Sequence, residues 1–278
     1  MKTMKSKFYS LALAAGMLTL TACSDDNTND SNNDKGNGIE NGSILKGTIT
    51  EDVTLKAGNT YKLSGEYIVE AGATLNIEEG VKIISVYDNI VDYILVKQGA
   101  KINAVGTPDK PIVMTSEKEE PGAWGGIHIC GKAHTNAEGG KGSSEIGGAV
   151  YGGNDDADNS GTLQYIRLEY TGFAFDEEHE ANGISFYGVG NGTIVDHCES
   201  YKGSDDGFEF FGGSVNVSNM VVVSCSDDSF DWTEGWNGKG TDLVAYQEAK
   251  ATLGYDCDCL IEADNNENDN AATPVSHP

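Results

Sequence analysis

Helical patterns are missing from this sequence, and proline is scarce in it. No segment carries a sustained apolar period of about 3.6 residues, which argues against a helical protein. Proline accounts for 5 of the 278 residues and glycine for 36, a combination that favours tight, repeated corners over a disordered chain. The apolar residues instead form short runs bounded by turn residues, and such runs predict β-strands. The runs in the first part of the chain are 61–63, 67–69, 74–77, 81–84, 93–96 and 111–114.

Basic residues are scarce as well. The chain has 18 Lys and Arg against 44 Asp and Glu, which gives a formal net charge of −26. So acidic a chain repels nucleic acid and anionic lipid headgroups, and we therefore expect no nucleic-acid partner. The same charge is compatible with bound cations, with neutral or basic ligands, or with solubility alone.

Long apolar runs are absent after the first 23 residues, so no transmembrane helix is expected there. Near the N-terminus, three lysines precede a short apolar stretch at residues 11–20, an arrangement typical of an export signal. The Leu-Thr-Ala-Cys ending resembles the lipobox of bacterial lipoproteins, and the resemblance implies a signal peptide at 1–22 and a lipidated Cys23. The alternative is an ordinary secretory signal that ends near a cysteine.

A polar tether at 23–43 follows the signal. It consists of Asn, Asp, Ser and Gly with almost no apolar side chain, so it cannot form a core and is predicted to be disordered. Its Ser24-Asp25-Asp26 resembles the tag that directs lipoproteins of Bacteroides-like bacteria to the outer face of the outer membrane. We therefore expect a lipid-anchored protein of the outer membrane and cell surface.

Five cysteines remain besides Cys23, so at least one thiol stays unpaired within a monomer. Two of them are separated by a single aspartate, yet zinc sites usually have wider spacing and more ligands. We interpret all five as buried and unreactive. They are Cys130, Cys198, Cys225, Cys257 and Cys259.

Four segments of the chain share one pattern, an alternation of apolar residues that is mostly bounded by glycine. They are residues 126–131, 183–188, 207–212 and 229–233. The last two follow the same tripeptide, Ser-Asp-Asp, at 204–206 and 226–228, an offset of 22 residues. A fixed offset of this size predicts a solenoid whose coils stack on one another.

A second series of β-type runs follows these segments, at 162–170, 193–201 and 215–223. Two strand columns that recur once per coil predict an all-β fold, a parallel β-solenoid with coils about 4.8 Å apart. We place it at residues 44–273, with a tail at 274–278. The alternative is an antiparallel sandwich, for which two Asn-Gly pairs would supply hairpin turns.

Two insertions interrupt the repeat, at residues 132–161 and 171–181. Long loops on a rigid scaffold often carry function, and we expect both to emerge from one flank of the solenoid. If they wall a cleft, an enzyme is favoured; if they lie flat, a binding surface is favoured.

Three strings resemble a known type of protein. They are residues 73–83, 106–116 followed by the short 124–127, and 203–213, the last with the sequence GSDDGFEFFGG. They resemble right-handed parallel β-helix surface lipoproteins of Bacteroidetes, whose fold is described as pectate-lyase-like. The resemblance implies this fold and no particular activity. Similar proteins continue beyond the string that ends here near Pro274, so the resemblance also implies a C-terminally truncated solenoid.

Stacking the coils at the offset of 22 residues places Asp205 beside Asp227 and Asp206 beside Asp228. Four carboxylates so close together repel one another unless protons, N–H donors or a cation compensate them. One interpretation is a Ca²⁺ site at these four residues, because calcium binds clustered carboxylate oxygens. A second is structural, in which each Asp accepts backbone N–H groups and caps a coil corner. The third is catalytic.

The catalytic interpretation has Asp205, Glu209, Asp227 and Asp231 as its candidate residues. Polygalacturonases are similar β-helices that also carry paired aspartates, and glycoside hydrolysis needs two carboxylates in distinct environments. This sequence lacks the Gly-His-Gly and Asn-Thr-Asp strings of those enzymes, and its two acidic coils contain one basic residue, Lys202. The resemblance to these enzymes is therefore one of shape.

A polar column alternates with the apolar one in the four shared segments. It consists of His128, Ser185, Glu209 and Asp231. If the apolar column points inward, strand alternation points this one outward as a polar stripe. We take His128, Glu209 and Asp231 as candidate ligand-binding residues, together with Trp236, which lies outside the repeat beside the acidic end.

These observations favour a non-catalytic binding or adhesion module of the cell surface over an enzyme. Glycans are its expected ligands, and Ca²⁺ is its expected cofactor. The first alternative is a lyase or glycoside hydrolase that acts on acidic polysaccharide. The second is a structural surface-layer component, which would have no concave polar face.

Overall fold

The computed structural model describes residues 39–88, 90–175 and 179–278, and this part of the chain is built almost entirely of short strands. The predicted signal peptide, Cys23 and most of the tether lie outside the described residues. The described helices are a 3₁₀ turn at Glu138–Gly140 and α1 at Lys250–Leu253, and neither is long and apolar enough to cross a membrane. The strands are β1 (Ile44–Ile49), β2 (Val53–Leu55), β3 (Thr60–Val69), β4 (Thr74–Ile77), β5 (Lys82–Ser85), β6 (Tyr93–Val96), β7 (Lys101–Val105), β8 (Ile112–Ser116), β9 (Ile127–Cys130), β10 (Gly142–Ser143), β11 (Val150–Tyr151), β12 (Gly161–Glu169), β13 (Ile184–Tyr187), β14 (Ile194–Tyr201), β15 (Phe208–Phe211), β16 (Asn216–Ser218), β17 (Val221–Val223), β18 (Phe230–Thr233), β19 (Gly240–Thr241) and β20 (Val244–Tyr246).

Parallel pairing dominates the fold. Eighteen strands form one connected hydrogen-bonded network, which winds as a right-handed parallel β-helix. The remaining pair, β10 and β11, forms a small antiparallel hairpin. The predicted fold class is therefore confirmed, and the antiparallel sandwich is wrong because successive coils pair in parallel.

The β-helix has three sheets, whereas the sequence patterns predict two columns. Sheet 1 contains β6, β9, β13, β15 and β18. The predicted second column divides into sheets 2 and 3, because the chain bends at one residue with positive φ in each coil. These residues are Tyr165, His197 and Asn219, with φ of 52°, 53° and 53°. A single residue in the left-handed region breaks the extended conformation and turns the chain into the next sheet.

The interior is a stack of apolar side chains from successive coils. Ile184 pairs with Phe208 and Phe208 pairs with Phe230, and all three side chains are buried. The rings of Phe186 and Phe210 stack with their centroids 5.1 Å apart. Burial of each such side chain stabilises the fold by about 1.5–3 kcal/mol. The register predicted from the offset is the observed one.

The glycines that open three of the shared segments lie where neighbouring coils approach closely. A Cβ atom at Gly126, Gly183 or Gly207 would come within 2.1, 2.3 and 2.6 Å, respectively, of a carbonyl oxygen of the next coil. No side chain fits at these distances, so the fold needs glycine at this point of each coil.

Both insertions fold back over sheet 1 rather than projecting from a flank. Residues 131–160 contribute Ile146 and Tyr151 to a second apolar cluster, and the later insertion contributes Ala181. These side chains pack against Tyr93 and Tyr187 on the outer face of sheet 1. As a result, β6, β9 and β13 are buried on both faces.

The C-terminal segment continues the winding beyond β20. The backbone N–H groups of Glu262 and Asp264 donate to the carbonyl oxygens of Phe230 (3.0 Å) and Trp232 (2.8 Å). Residues 258–264 therefore run alongside β18 as a further rung of sheet 1. The predicted tail also packs on the fold, since Asn136 Nδ2 donates to the carbonyl oxygen of Pro274 at 3.0 Å.

Candidate cation-binding site

Carboxylates alone line a cavity of about 200 Å³ on the outer face of sheet 1. We call it the acid cavity. Its described lining contains no Lys, Arg or His side chain. The lining residues are Glu145, Glu180, Asp205, Asp206, Glu209, Asp227, Asp231 and Glu262.

The repeat positions the centre of the acid cavity. Glu209 in β15 pairs directly with Asp231 in β18, so their side chains leave the same face one coil apart. The Ser-Asp-Asp corners that precede these strands add Asp205, Asp206 and Asp227. All four residues proposed from the sequence as catalytic candidates therefore lie together in one cavity.

Three further segments complete the acid cavity with residues that the sequence reasoning did not single out. Glu145 comes from the first insertion, Glu180 from the second, and Glu262 from the C-terminal rung. A sequence signal exists for Glu262, because 257–262 (CDCLIE) repeats the pattern of 226–231 (SDDSFD). The two insertions carry no periodic signal, so the positions of Glu145 and Glu180 follow only from the way that the loops fold back.

Two of the corner aspartates also have the structural role that was one of the sequence interpretations. Asp206 Oδ1 accepts the backbone N–H of Asp228 at 2.9 Å, and Asp228 Oδ1 accepts that of Cys259 at 2.7 Å. These bonds link each coil corner to the next. Asp228 is buried and does not line the acid cavity. Asp206 both accepts a backbone N–H group and lines the cavity.

The acid cavity strongly favours protonated carboxyl groups when nothing else compensates their charge. Burial, followed by repulsion from Glu180 and Asp227, raises the pKa of Asp205 to about 8. Burial is also the main cause that raises the pKa of Glu145 to about 7 and of Asp231 to about 6. For Asp206 and Glu209, burial and the neighbouring carboxylates raise the pKa well above its ordinary value.

Several carboxylates lie close enough together to share one cation. Among the described residues, four groups of three have ligand atoms within 4.8 Å of one another. Three of these groups consist of carboxylates alone, the ligands that Ca²⁺ takes, and the fourth includes a thiol. The groups are Asp205–Asp206–Asp227, Asp206–Glu209–Asp231, Asp228–Asp231–Glu262 and Asp228–Asp258–Cys259.

His128 is not on an accessible stripe, contrary to expectation. Its side chain is 0% exposed, as is that of Ser185, because the insertions cover this part of sheet 1. His128 Nε2 lies 2.7 Å from the carbonyl oxygen of Gly125, and burial lowers the pKa of the imidazole to about 4. A neutral histidine in the packed interior cannot contact a ligand in solution, so this prediction has lost its basis.

Trp236 is not accessible either. It is 2% exposed and stacks on Phe210 with a centroid distance of 4.3 Å, while its Nε1 donates to the carbonyl oxygen of Val215 at 3.2 Å. The interior of the last coils thus accounts for this tryptophan as a core residue. The prediction of five buried cysteines is also wrong in part, since Cys257 is half-buried and Cys259 is exposed.

Comparison with known proteins agrees with the fold. A family model described as a pectate-lyase-like β-helix domain matches residues 47–278. Neither a search of curated proteins nor a search of solved structures gives a match. Because the family model matches most of the chain and the structure is a parallel β-helix, the chain belongs to the family of pectate-lyase-like β-helix domains.

Proposed function

We propose that this protein is a non-catalytic binding module that holds calcium in the acid cavity and binds glycans through the bound ion. One observation carries the proposal, the convergence of eight carboxylates from five separate stretches of the chain on a single cavity. Random surface acidity would not bring Glu145, Glu180 and Glu262 to the two Ser-Asp-Asp corners.

Electrostatics supports a cation in this cavity. Two unit charges 4 Å apart repel by about 4 kcal/mol at an effective dielectric constant of about 20. The described lining of the cavity holds no basic side chain, and the nearby His179 lowers the pKa of Glu145 alone among these carboxyl groups, so protons or a metal ion are left to compensate the others. At neutral pH an ion with carboxylate ligands displaces those protons, and Ca²⁺ binds clustered carboxylate oxygens such as these.

Glycan binding through the ion follows from the charge of the site. A chain with a net charge of −26 repels acidic polysaccharide, whereas Ca²⁺ in the acid cavity attracts hydroxyl and carboxylate oxygens. The ring of Trp236 is buried and therefore cannot stack directly on a sugar.

Membrane attachment through Cys23 is part of the proposal and is supported by the sequence alone. The lipobox-like Leu-Thr-Ala-Cys and the acidic tag after it predict a lipid anchor on the outer face of the outer membrane. Replacing Cys23 by Ser should release the protein from the membrane fraction. A Cys23→Ser protein that still fractionates with membranes and carries lipid would contradict the anchor.

A glycan array with and without Ca²⁺ tests the binding proposal. We expect binding of one glycan class in Ca²⁺ and its loss in chelator. The same loss is expected for Asp205→Asn with Asp227→Asn in Ca²⁺, and unchanged binding for the exposed control Asp109→Asn. Binding that is equal in Ca²⁺ and in chelator would contradict the role of the ion.

A glycoside hydrolase is the second candidate function, and a difference in proton affinity favours it. With pKa values of about 8 and about 6, Asp205 would be protonated and Asp231 largely ionised at pH 7. An acid and a base of this kind are what hydrolysis requires. Incubation with a glycan that binds on the array should release reducing ends, and Asp205→Asn should abolish this release. No release by the wild type would contradict this function.

A lyase is less favoured because the described lining of the cavity holds no Lys or Arg to act as base.

A further inference from the structure

We infer that the acid cavity holds two divalent cations rather than one, and that the carboxylate of Asp206 bridges them. The first position is that of Asp205, Asp206 and Asp227. The second is that of Asp206, Glu209 and Asp231, with the amide oxygen of Asn182 as a neutral ligand. The inference rests on the proposed cation-binding function and adds a second site to it.

Two of the ligand groups overlap at one residue. Asp206 belongs both to the group with Asp205 and Asp227 and to the group with Glu209 and Asp231, and each group has its ligand atoms within 4.8 Å. A carboxylate has two oxygens, so a single Asp206 side chain can serve an ion on either side. Bridged ions about 3.5–4 Å apart are known arrangements in proteins.

Asn182 provides the observation that is independent of the acidic residues. Its side chain is 1% exposed, and its Nδ2 donates to Ser185 Oγ at 3.0 Å and to Glu209 Oε2 at 2.5 Å. No donor among the described residues reaches its Oδ1, which is buried. Because both atoms are bonded to the same amide carbon, this oxygen lies at most about 5 Å from Glu209 Oε2.

Asp231, which belongs to the same ligand group as Glu209, also has an unsatisfied oxygen. Its Oδ1 is buried and has no hydrogen-bond partner within the described part of the chain. Buried polar atoms nearly always have a partner, and two such oxygens next to one ligand group call for an explanation. A proton shared between Glu209 and Asp231 would satisfy one carboxyl group but not an amide oxygen. Calcium accepts carboxylate and amide oxygens alike, and therefore satisfies both.

Isothermal titration calorimetry of the metal-free full chain with CaCl₂ tests the inference. We expect two ions per chain for the wild type. Asp227→Asn should remove the ion of the first position and Glu209→Gln that of the second, so each variant should bind one. Asp206→Asn should bind none, and the control Asp109→Asn should bind two. Replacing Asn182 by Ala should weaken the second position about tenfold or more and leave the first unchanged.

The possible stoichiometries separate the two proposals. No binding by the wild type overturns the cation function together with the second position. One ion in the wild type, or two ions retained by Glu209→Gln, overturns the second position and leaves the cation function standing. Thermal unfolding in chelator establishes that each variant is folded, which we expect because these substitutions remove like charges.

Energy transfer between lanthanides gives a second, independent readout. Loading the wild type with an equal mixture of Tb³⁺ and Eu³⁺ should give transfer from Tb³⁺ to Eu³⁺, because bridged ions are only a few ångströms apart. The transfer should disappear in Asp227→Asn and in Glu209→Gln, which retain one ion each. Absence of transfer in a fully loaded wild type would overturn the bridged arrangement.

Discussion

The polar column of sheet 1 has two halves with opposite properties, although one register builds both. His128 and Ser185 form one half and Glu209 and Asp231 the other, and each pairs with the next along the axis. The first half is neutral and buried under the second apolar cluster. The second half opens into a cavity of carboxylates.

What covers the column accounts for the difference. Over β9 and β13 the insertions place Ile146 and Tyr151, and the aromatic ring of Tyr187 completes the apolar layer. Over β15 and β18 the same insertions place the carboxylates of Glu145 and Glu180. Strand register therefore determines where a side chain lies, whereas the covering segments determine whether it meets an apolar layer or a cavity lined by carboxylates.

Removal of an aromatic ring from the apolar layer over the covered half should cause the largest loss of stability. The ring of Tyr187 is fully buried and stacks on Phe211 at 4.4 Å, so Tyr187→Ala should lower the free energy of unfolding by about 3–5 kcal/mol. Urea denaturation measures this change. Tyr187→Phe is the control, because it keeps the ring and removes only the hydroxyl group that donates to Glu145, and it should cost about 1 kcal/mol. Equal losses in the two variants would contradict the importance of ring packing.

A carboxylate introduced into the covered half should cause the next largest loss of stability. Ser185→Asp places a carboxylate in a fully buried position, and in chelator at pH 8 it should lower the free energy of unfolding by about 3 kcal/mol. The loss should shrink at pH 5, where the new carboxyl group is protonated. The control Ser185→Asn has a side chain of similar size without charge. A loss that is the same at both pH values would point to steric crowding instead.

Calcium should stabilise the acidic half by a smaller amount. At a free concentration of about 100 times its dissociation constant, a single ion adds about 2.7 kcal/mol to the free energy of unfolding. Differential scanning calorimetry should therefore give a lower Tm in chelator. Asp205→Asn with Asp227→Asn should reduce this sensitivity to that of the ion at Glu209 and Asp231, Asp206→Asn should remove it, and the exposed Asp109→Asn should keep it in full. A wild-type Tm that ignores chelator would contradict the cation site.

The pH dependence of the metal-free protein should sharpen the contrast between the two halves. Because the pKa values of Asp205, Glu145 and Asp231 are raised to about 8, 7 and 6, the folded state binds more protons than the unfolded state above about pH 4. Stability in chelator should therefore fall as pH rises from about 4 to 8. Each of these three groups can contribute a slope of at most about 1.4 kcal/mol per pH unit, the value for one full proton.

Added Ca²⁺ should flatten or reverse the slope of the pH dependence, because the ion binds the deprotonated form. Urea denaturation at each pH, with and without the ion, measures both slopes. Metal-free stability that increases across this range would contradict the raised pKa values.

Local pattern was sufficient to predict the fold and the centre of the acid cavity. The repeated Ser-Asp-Asp and the alternation after it gave the pairing of Glu209 with Asp231, which follows from hydrogen bonding between equivalent strands. The third sheet was not predicted, because a bend at one residue such as His197 leaves the apolar alternation on both sides of it intact.

The environment of the column could not be predicted from the same pattern. The burial of His128 depends on how the aperiodic insertions fold back, and Glu145 and Glu180 reach the cavity by the same route. Glu262 is a different case, since its rung repeats the earlier pattern at a longer offset, 31 residues from Asp231. A search for variable offsets would have found it.

The parallel register of β15 and β18 also makes the acidic half extendable. One more coil inserted between them in the same register would add a carboxylate to the column and about 4.8 Å to its length. No contact within the coils below would have to change. The covered half lacks this freedom, because each added coil there would need a new piece of insertion to bury it. A lineage of such β-helices could therefore lengthen its row of acids simply by duplicating a coil.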